Sequence, residues 1–271
     1  QIAALTATQV AALDGSDFAL LSAGQLAHLD PSVIPTLKTA QIAAMTTAQI
    51  GALSTAQIQA LTTAQVQALT TAQVQALPED SLVKLTTAQI RALESADLRA
   101  LTTAQVEALT TAQVAALSAT QIAQLTNAQV AAIEGDDLDG IATDVINALT
   151  TGQVQALTTG QVAALTSAQI DALTTAQMAA LTGAQIAAIE TADLAAYDDA
   201  TMAKLTTAQV QALTTAQVTA LTVDQLLALT STQFTALTAA QVGAIETADL
   251  ADLPTATIGR LTAGQVAGLS T

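Results

Sequence analysis

Cysteine and tryptophan are absent from this chain of 271 residues, and aromatic residues make up only 1% of it. Without cysteine the chain has no disulfide framework, and its composition points to no particular redox compartment. A mixed core is normally anchored by aromatic side chains, because each buries a large area. Leu, Ile, Val and Ala must therefore form the core. Hydrophobic residues reach 51%, which is too many for a chain that stays disordered because it is polar.

Basic residues are also scarce: six Lys and Arg face 22 Asp and Glu, for a formal net charge of −16. This balance argues against nucleic acid and anionic membrane surfaces as partners. Residues 39–77 carry no charge, but Thr or Gln recurs every few residues, so no membrane insertion is predicted. No signal peptide is visible, and repeat material starts at Gln1 without an initiator Met. We interpret the chain as a fragment or processed piece of a longer array.

A period of eight residues runs through the whole chain. Numbered from its Leu, position one of each octad falls at residues 5, 13, 21 and onward to 269, and all 34 sites are apolar. Position six runs from Ile2 to Val266, and all 34 sites are Val, Ile, Leu, Met or Phe. No insertion or deletion breaks the register, so residues 1–271 are predicted to form one continuous octapeptide-repeat solenoid.

Each octad also carries a signal for the start of a helix. Position two is Thr or Ser in 23 of 34 octads, and position five is Gln in 24 of 34. Ser or Thr followed three residues later by Gln is the capping box, and the apolar residues at positions one and six form the accompanying hydrophobic staple. The pattern predicts an all-α solenoid with one very short capped helix per octad. Such helices are stable only when neighbouring octads stack on them.

Two other folds are alternatives to this prediction. A single continuous helix is rejected, because eight residues over two turns lie too far from 3.6 residues per turn. A β-solenoid remains the alternative, since Thr and Val favour strands. It is disfavoured because positions one and six have opposite parity and would face opposite sides of one strand.

Ten octads lack Gln at position five, in two sets of five. One set has Asp there, and four of its members have Glu at position two. The other set has Val33, Ser81, Val145, Thr201 or Thr257, contains all four prolines and often ends in a base, as at Lys84, Lys204 and Arg260. Late in the chain the two types are adjacent, and each such pair starts seven octads after the one before. The members of the Asp set are Asp17, Asp97, Asp137, Asp193 and Asp249.

The carboxylates of these deviant octads have two interpretations. They are favourably placed at helix N-termini, where they would only adjust the superhelical pitch. Alternatively, they supply the hard oxygen ligands that Ca²⁺ prefers, although their spacing matches no EF-hand. The candidate calcium ligands are Asp14, Asp17, Glu134, Asp136, Asp137 and Asp139.

Catalytic machinery is not apparent. The only histidine, His28, has no Cys or second His with which to complete a nitrogen or sulfur metal site, and we interpret it as a surface substitution. No nucleophile with a base and an orienting group can be assembled around it. Gly-rich phosphate loops are absent. Tyr197, Phe18 and Phe234 occupy core positions. We predict no enzyme, no catalytic residue and no cofactor other than the possible Ca²⁺.

Tandem octads of the LTTAQV type, as at 61–77 and 205–221, resemble repeat tracts of very large secreted or surface proteins of proteobacteria, of the adhesin and calcium-dependent-toxin kind. The resemblance implies an extracellular bacterial tract that spaces or displays other domains. It also implies partners among the flanking domains of a larger protein. The Gly-Asp-rich nonapeptides of typical calcium-binding tracts are missing here.

The sequence supports three functional hypotheses. The first is a non-enzymatic extracellular stalk, spacer or filament-forming scaffold, in which copies of the chain could also stack end to end. The second is a module that binds peptide, glycan or Ca²⁺ on the solenoid surface. Position seven is the most variable site, so it is expected to face solvent and to carry any specificity. The third is ice binding by a regular Thr ladder.

Overall fold

The computed structural model describes residues 6–269, and all regular structure in that range is helical. This confirms the all-α solenoid of short helices, one per octad, and shows that the β-solenoid alternative is wrong. The chain divides into two compact units, Gln1–Ile141 and Ala142–Thr271. No helix in the described range is long and apolar enough to span a membrane.

In its described residues, 6–141, the first unit contains short α-helices and one 3-10 helix, each of four to six residues. In chain order they are α1 Ala7–Ala12, α2 Gly15–Ala19, α3 Ala23–Ala27, the 3-10 helix Pro31–Thr36, α4 Thr39–Ala44, α5 Thr47–Gly51, α6 Thr55–Ala60, α7 Thr63–Gln67, α8 Thr71–Gln75, α9 Glu79–Leu82, α10 Thr87–Ala92, α11 Ser95–Ala100, α12 Thr103–Glu107, α13 Thr111–Ala115, α14 Ala119–Gln124, α15 Asn127–Ala132 and α16 Gly135–Asp139.

The second unit repeats the same design. Its helices are α17 Thr143–Ile146, α18 Thr151–Ala156, α19 Thr159–Ala164, α20 Ser167–Asp171, α21 Thr175–Ala180, α22 Gly183–Ala188, α23 Thr191–Ala195, α24 Asp199–Lys204, α25 Thr207–Ala212, α26 Thr215–Thr219, α27 Val223–Ala228, α28 Ser231–Ala236, α29 Ala239–Gly243, α30 Thr247–Asp252, α31 Thr255–Ile258 and α32 Ala263–Gly268.

The capping box starts the helices whose octads have Thr or Ser at position two and Gln at position five, as the sequence predicted. At α7, the Thr62 hydroxyl accepts a hydrogen bond from the Gln65 backbone N–H at 3.2 Å, and Gln65 Oε1 accepts one from the Thr62 N–H at 2.8 Å. Thr62 has extended backbone angles, φ −73° and ψ 159°, as an N-cap residue requires. Two donors that the first turn leaves without a helical partner are thereby satisfied.

The octad at residues 29–36 departs from the α-helical expectation. Its helix, Pro31–Thr36, is a 3-10 helix with Pro35 inside it. Proline has no backbone N–H, so Pro35 cannot donate the i→i−4 hydrogen bond of an α-helix to Pro31. The tighter 3-10 turn keeps the octad in register, and Val33 and Ile34 remain buried.

Stacking occurs between octads that are distant in sequence. Within each unit a helix packs on the helix three octads further along the chain, as α7 packs on α10 and α22 on α25. The apolar residues of positions one and six form the core between these stacked helices. Leu61 and Val66, for example, are 4% and 0% exposed. One turn of the solenoid contains between three and four octads, a number that the repeat length does not specify.

Small residues allow the stacked helices to approach closely. The contact between α29 and α32 is the tightest example. A Cβ atom added to Gly268 would lie 2.3 Å from the carbonyl oxygen of Ala239, closer than any real contact of these atoms. A larger residue at Gly268 would therefore push the two backbones apart.

Candidate functional site

The glutamine of position five has a second role beyond capping. In α13, Gln113 Oε1 accepts a hydrogen bond from the N–H of Thr110 at 3.0 Å. Its Nε2 group donates to the carbonyl oxygens of Leu82 at 2.9 Å and Leu85 at 2.8 Å, which belong to the preceding turn of the solenoid. Gln113 is only 2% exposed. One buried amide thus caps its own helix and joins it to the turn below.

The same geometry recurs along both units. In each case Nε2 donates to the carbonyl 28 residues earlier and also to one 30 or 31 residues earlier. We refer to these residues together as the glutamine ladder. They are Gln41, Gln49, Gln57, Gln65, Gln73, Gln89, Gln105, Gln113, Gln121 and Gln129 in the first unit, and Gln177, Gln185, Gln209, Gln217, Gln225, Gln233, Gln241 and Gln265 in the second.

Two glutamines of the first unit provide an internal comparison. Gln9 and Gln25 form the capping box with Thr6 and Ser22, but both are exposed. Their Nε2 groups donate to no residue in the described range, because no turn of that range lies beneath them. Capping alone therefore leaves this side chain in solvent, whereas contact with a preceding turn buries it.

The sequence predicted the cap but missed the ladder. A signal was nevertheless present: Glu serves as well as Gln in a capping box, because only the side-chain oxygen is needed there. Position five is Gln 24 times and Glu never. A strict choice of the amide indicates that its N–H₂ group is also used, since a carboxylate cannot donate.

One deviant octad replaces the missing amide with a cation. Position five of the octad at residues 197–204 is Thr201, which cannot reach the turn below. Instead, Lys204 Nζ donates to the carbonyl oxygens of Asp171 and Leu173, both at 2.9 Å. Leu173 precedes position 201 by the ladder spacing, so its carbonyl is the one that a glutamine there would contact. Lys204 therefore acts in place of a ladder glutamine.

We expect Lys204→Ala to lower the free energy of unfolding by about 1.5–3 kcal/mol, the usual contribution of hydrogen bonds to a charged group. Adding Thr201→Gln should restore most of the loss, because the amide then reaches the same carbonyls. Urea unfolding of the single and double variants measures both effects. Lys84→Ala is the matched control, since Lys84 also ends a deviant octad but is exposed and contacts no carbonyl of a described residue. Equal losses for the two lysines would contradict the assignment.

The candidate calcium ligands lie at the starts of α2 and α16, except Asp139, which is the last residue of α16. Asp14 caps α2, where Oδ1 accepts from the Asp17 N–H at 2.8 Å and the Ser16 hydroxyl at 2.7 Å, and these hydrogen bonds lower the pKa of Asp14. Asp137 is buried and accepts from the Thr111 hydroxyl at 2.5 Å. Glu134, Asp136 and Asp139 are exposed. Within residues 6–269 no three His, Cys, Asp or Glu side chains are grouped to hold a metal ion. Calcium binding by these residues stays a prediction.

His28 lies at the end of a helix, and the aromatic residues lie in the core. His28 is exposed just after α3, at its C-cap. Phe18, Phe234 and Tyr197 are buried core residues, as predicted. The Tyr197 hydroxyl is buried without a hydrogen-bond partner among the described residues, and burial raises its pKa. Position seven is exposed or half-buried in every described octad, which confirms that it faces solvent.

This arrangement of stacked, capped single-turn helices defines an α-solenoid repeat protein. The sequence matches the family model of the ALTTAQ repeat at residues 34–63, 50–78, 90–127, 130–167, 186–223 and 242–271, which together cover more than half of the chain. The chain belongs to the ALTTAQ repeat family. The match is to a repeat family and not to a catalytic one. No curated protein matches the sequence.

Proposed function

We propose that the chain is a non-enzymatic structural element: an extracellular stalk, spacer or filament-forming scaffold. The observation that carries this proposal is the use of the recurring polar residues. The Thr or Ser and the Gln of the ladder octads are occupied in capping, and the Gln also joins one turn to the next. The residues that repeat thus maintain the array itself. Length, rather than a particular site, is the property that such an array can supply.

The proposed extracellular location rests on the resemblance of the octads to tracts of large secreted and surface proteins of proteobacteria. Antibody labelling of intact and permeabilised cells of the source organism separates the two outcomes. Label on intact cells supports a surface role, and label that appears only after permeabilisation contradicts it.

A spacer should tolerate a change of length by whole octads. We expect a variant lacking residues 189–244 to fold with the same helical circular dichroism per residue, because removing seven whole octads keeps both the octad register and the spacing of the ladder. Because the chain contains no cysteine, a label pair introduced by Thr175→Cys and Thr255→Cys is unique. Energy transfer between the labels should report a shorter distance in the deletion variant. Loss of helical structure on deletion would contradict the spacer proposal.

A binding module is the second candidate, favoured by one surface feature of the first unit. An open groove of about 410 Å³ lies beside Pro78, with Glu79, Asp80 and Thr102 along it. The variable side chains of position seven are also available to a peptide, a glycan or Ca²⁺. Thermal melting during a calcium titration tests the calcium version, which an unchanged melting temperature would exclude.

A further inference from the structure

The octad at residues 93–100 interrupts the glutamine ladder with a buried acid. Position five is Asp97, which is 3% exposed. The octads on either side have intact joints: Gln89 Nε2 donates to the Leu61 carbonyl at 2.8 Å, and Gln105 Nε2 donates to the Leu77 carbonyl at 2.8 Å. Asp97 therefore lies between two octads whose glutamine amides donate hydrogen bonds to the turn below.

The register of the neighbouring octads assigns Asp97 a carbonyl oxygen of the turn below. Its helix, α11, packs on α8 and α14, so the octad is stacked in the ordinary way. The register that pairs Gln89 with the Leu61 carbonyl and Gln105 with the Leu77 carbonyl pairs Asp97 with Leu69, midway between them. No residue in the described range donates a hydrogen bond to the Leu69 carbonyl oxygen. In this register an ionised carboxylate at position 97 cannot donate to the Leu69 carbonyl, and its charge is repelled by the partial negative charge of that oxygen.

No cation on the packed helices offsets this charge. The helices packed against α11, namely α8 and α14, contain no ionisable side chain, and neither does α7, which precedes Leu69. On its own segment, Glu94 adds a second negative charge, and Arg99 is exposed on the solvent side. Burial, with a contribution from Glu94, raises the pKa of Asp97, and a hydrogen bond from the backbone of Glu94 opposes that rise.

We propose that Asp97 is a protonation-controlled joint between two turns of the solenoid, closed when its carboxyl group is neutral and loosened when it is ionised. The neutral carboxyl group has an O–H that can donate towards the Leu69 carbonyl, as the ladder amides do at the equivalent positions. The ionised group has lost that proton to solvent and meets the carbonyl oxygens with a full negative charge.

The direction of the pH effect follows from linkage. The pKa of Asp97 is higher in the folded protein than the ordinary value of 3.8, so the folded state binds this proton more tightly than the unfolded state. The stabilisation of the folded state by the neutral carboxyl group is complete below the ordinary pKa of an aspartate. It is lost as the pH rises through the folded pKa. Mild acidification should therefore stabilise the stacking of the two turns at Asp97.

The test compares Asp97→Asn with the wild-type chain in urea unfolding between pH 4.5 and 7.5. At pH 7 the variant should be the more stable, because it carries no charge at this position. The two unfolding equilibrium constants should converge as the pH falls, by about tenfold for each unit by which the pKa of Asp97 is raised. Hydrogen exchange of the amides of residues 66–69 and 97–101 should slow several-fold in the variant at pH 7.

Asp80→Asn is the matched control, since it removes the same charge from an exposed position that takes part in no ladder hydrogen bond. It should leave the pH dependence of unfolding unchanged. A carboxyl-carbon NMR titration of Asp97 provides a reading that needs no substitution, and a midpoint above the ordinary aspartate value supports the proposal. A midpoint at or below that value, or a constant difference between Asp97→Asn and wild type at all pH values, overturns it.

Discussion

Gln57→Glu is expected to lower the free energy of unfolding by about 3–5 kcal/mol at pH 7, the usual effect of leaving a buried charge without a partner. The substitution keeps the shape of the side chain and the oxygen that accepts from the Ser54 N–H at 2.8 Å. It replaces the Nε2 donor, which bonds to the carbonyls of Leu26 at 2.9 Å and Leu29 at 2.8 Å, with an oxygen that carries negative charge. Equilibrium urea unfolding measures the loss.

The same substitution at Gln25 is the control. Gln25 forms the same capping box, with Ser22, but it is exposed and its amide contacts no turn below within the described range. Gln25→Glu should be neutral or slightly stabilising, because a carboxylate near a helix N-terminus is favourable. The loss in Gln57→Glu should also diminish at low pH, since a protonated carboxyl group can again donate. Equal effects at the two positions, or a loss that does not depend on pH, would show that the ladder contributes nothing beyond the cap.

Gln57→Ala is expected to cost about 2–4 kcal/mol, because it removes the cap and leaves buried carbonyl groups without donors. Gln25→Ala should cost about 1 kcal/mol or less, the usual value for one capping interaction. Both helices have Ser at the N-cap, so the difference between the two losses isolates the contact between turns. Hydrogen exchange of the amides of residues 26–29 gives an independent reading, because those residues lie in the turn that Gln57 contacts.

If stacking depended on the apolar core alone, the hydrogen bonds of Gln57 to the turn below would add nothing to stability. The two Ala variants would then lose similar free energy. The amides of residues 26–29 would keep their protection in Gln57→Ala. Such a result would reduce the ladder to a consequence of close packing and would weaken the proposed joint at Asp97 as well.

The short helices could be predicted from the sequence because their determinants are local. The Thr62–Gln65 capping box spans four residues, and Leu61 and Val66 lie on either side of it. All the residues of these contacts belong to consecutive positions of the repeat, so the pattern was sufficient to predict where each helix starts. The 3-10 helix at Pro31–Thr36 is a local exception with an equally local cause, the missing N–H of Pro35.

Less of the candidate site could be predicted. Lys204 was noticed only as a base that ends a deviant octad, and its contact with the Leu173 carbonyl could not be anticipated. Asp97 and Asp137 appeared in the sequence as similar deviant residues. The structure places both in buried positions but gives Asp137 a hydroxyl partner from Thr111. The calcium ligands, the end-to-end stacking of copies and the extracellular role stay predictions.

By itself, the sequence determined that each octad starts a new helix and which two of its residues enter the core. Tertiary structure alone decided how many octads form a turn, and therefore that the amide of position five meets the carbonyl 28 residues earlier. The physical reason is the range of the interactions. A capping box is satisfied within four residues, whereas the ladder depends on how closely helices three octads apart can pack, which a period of eight residues does not fix.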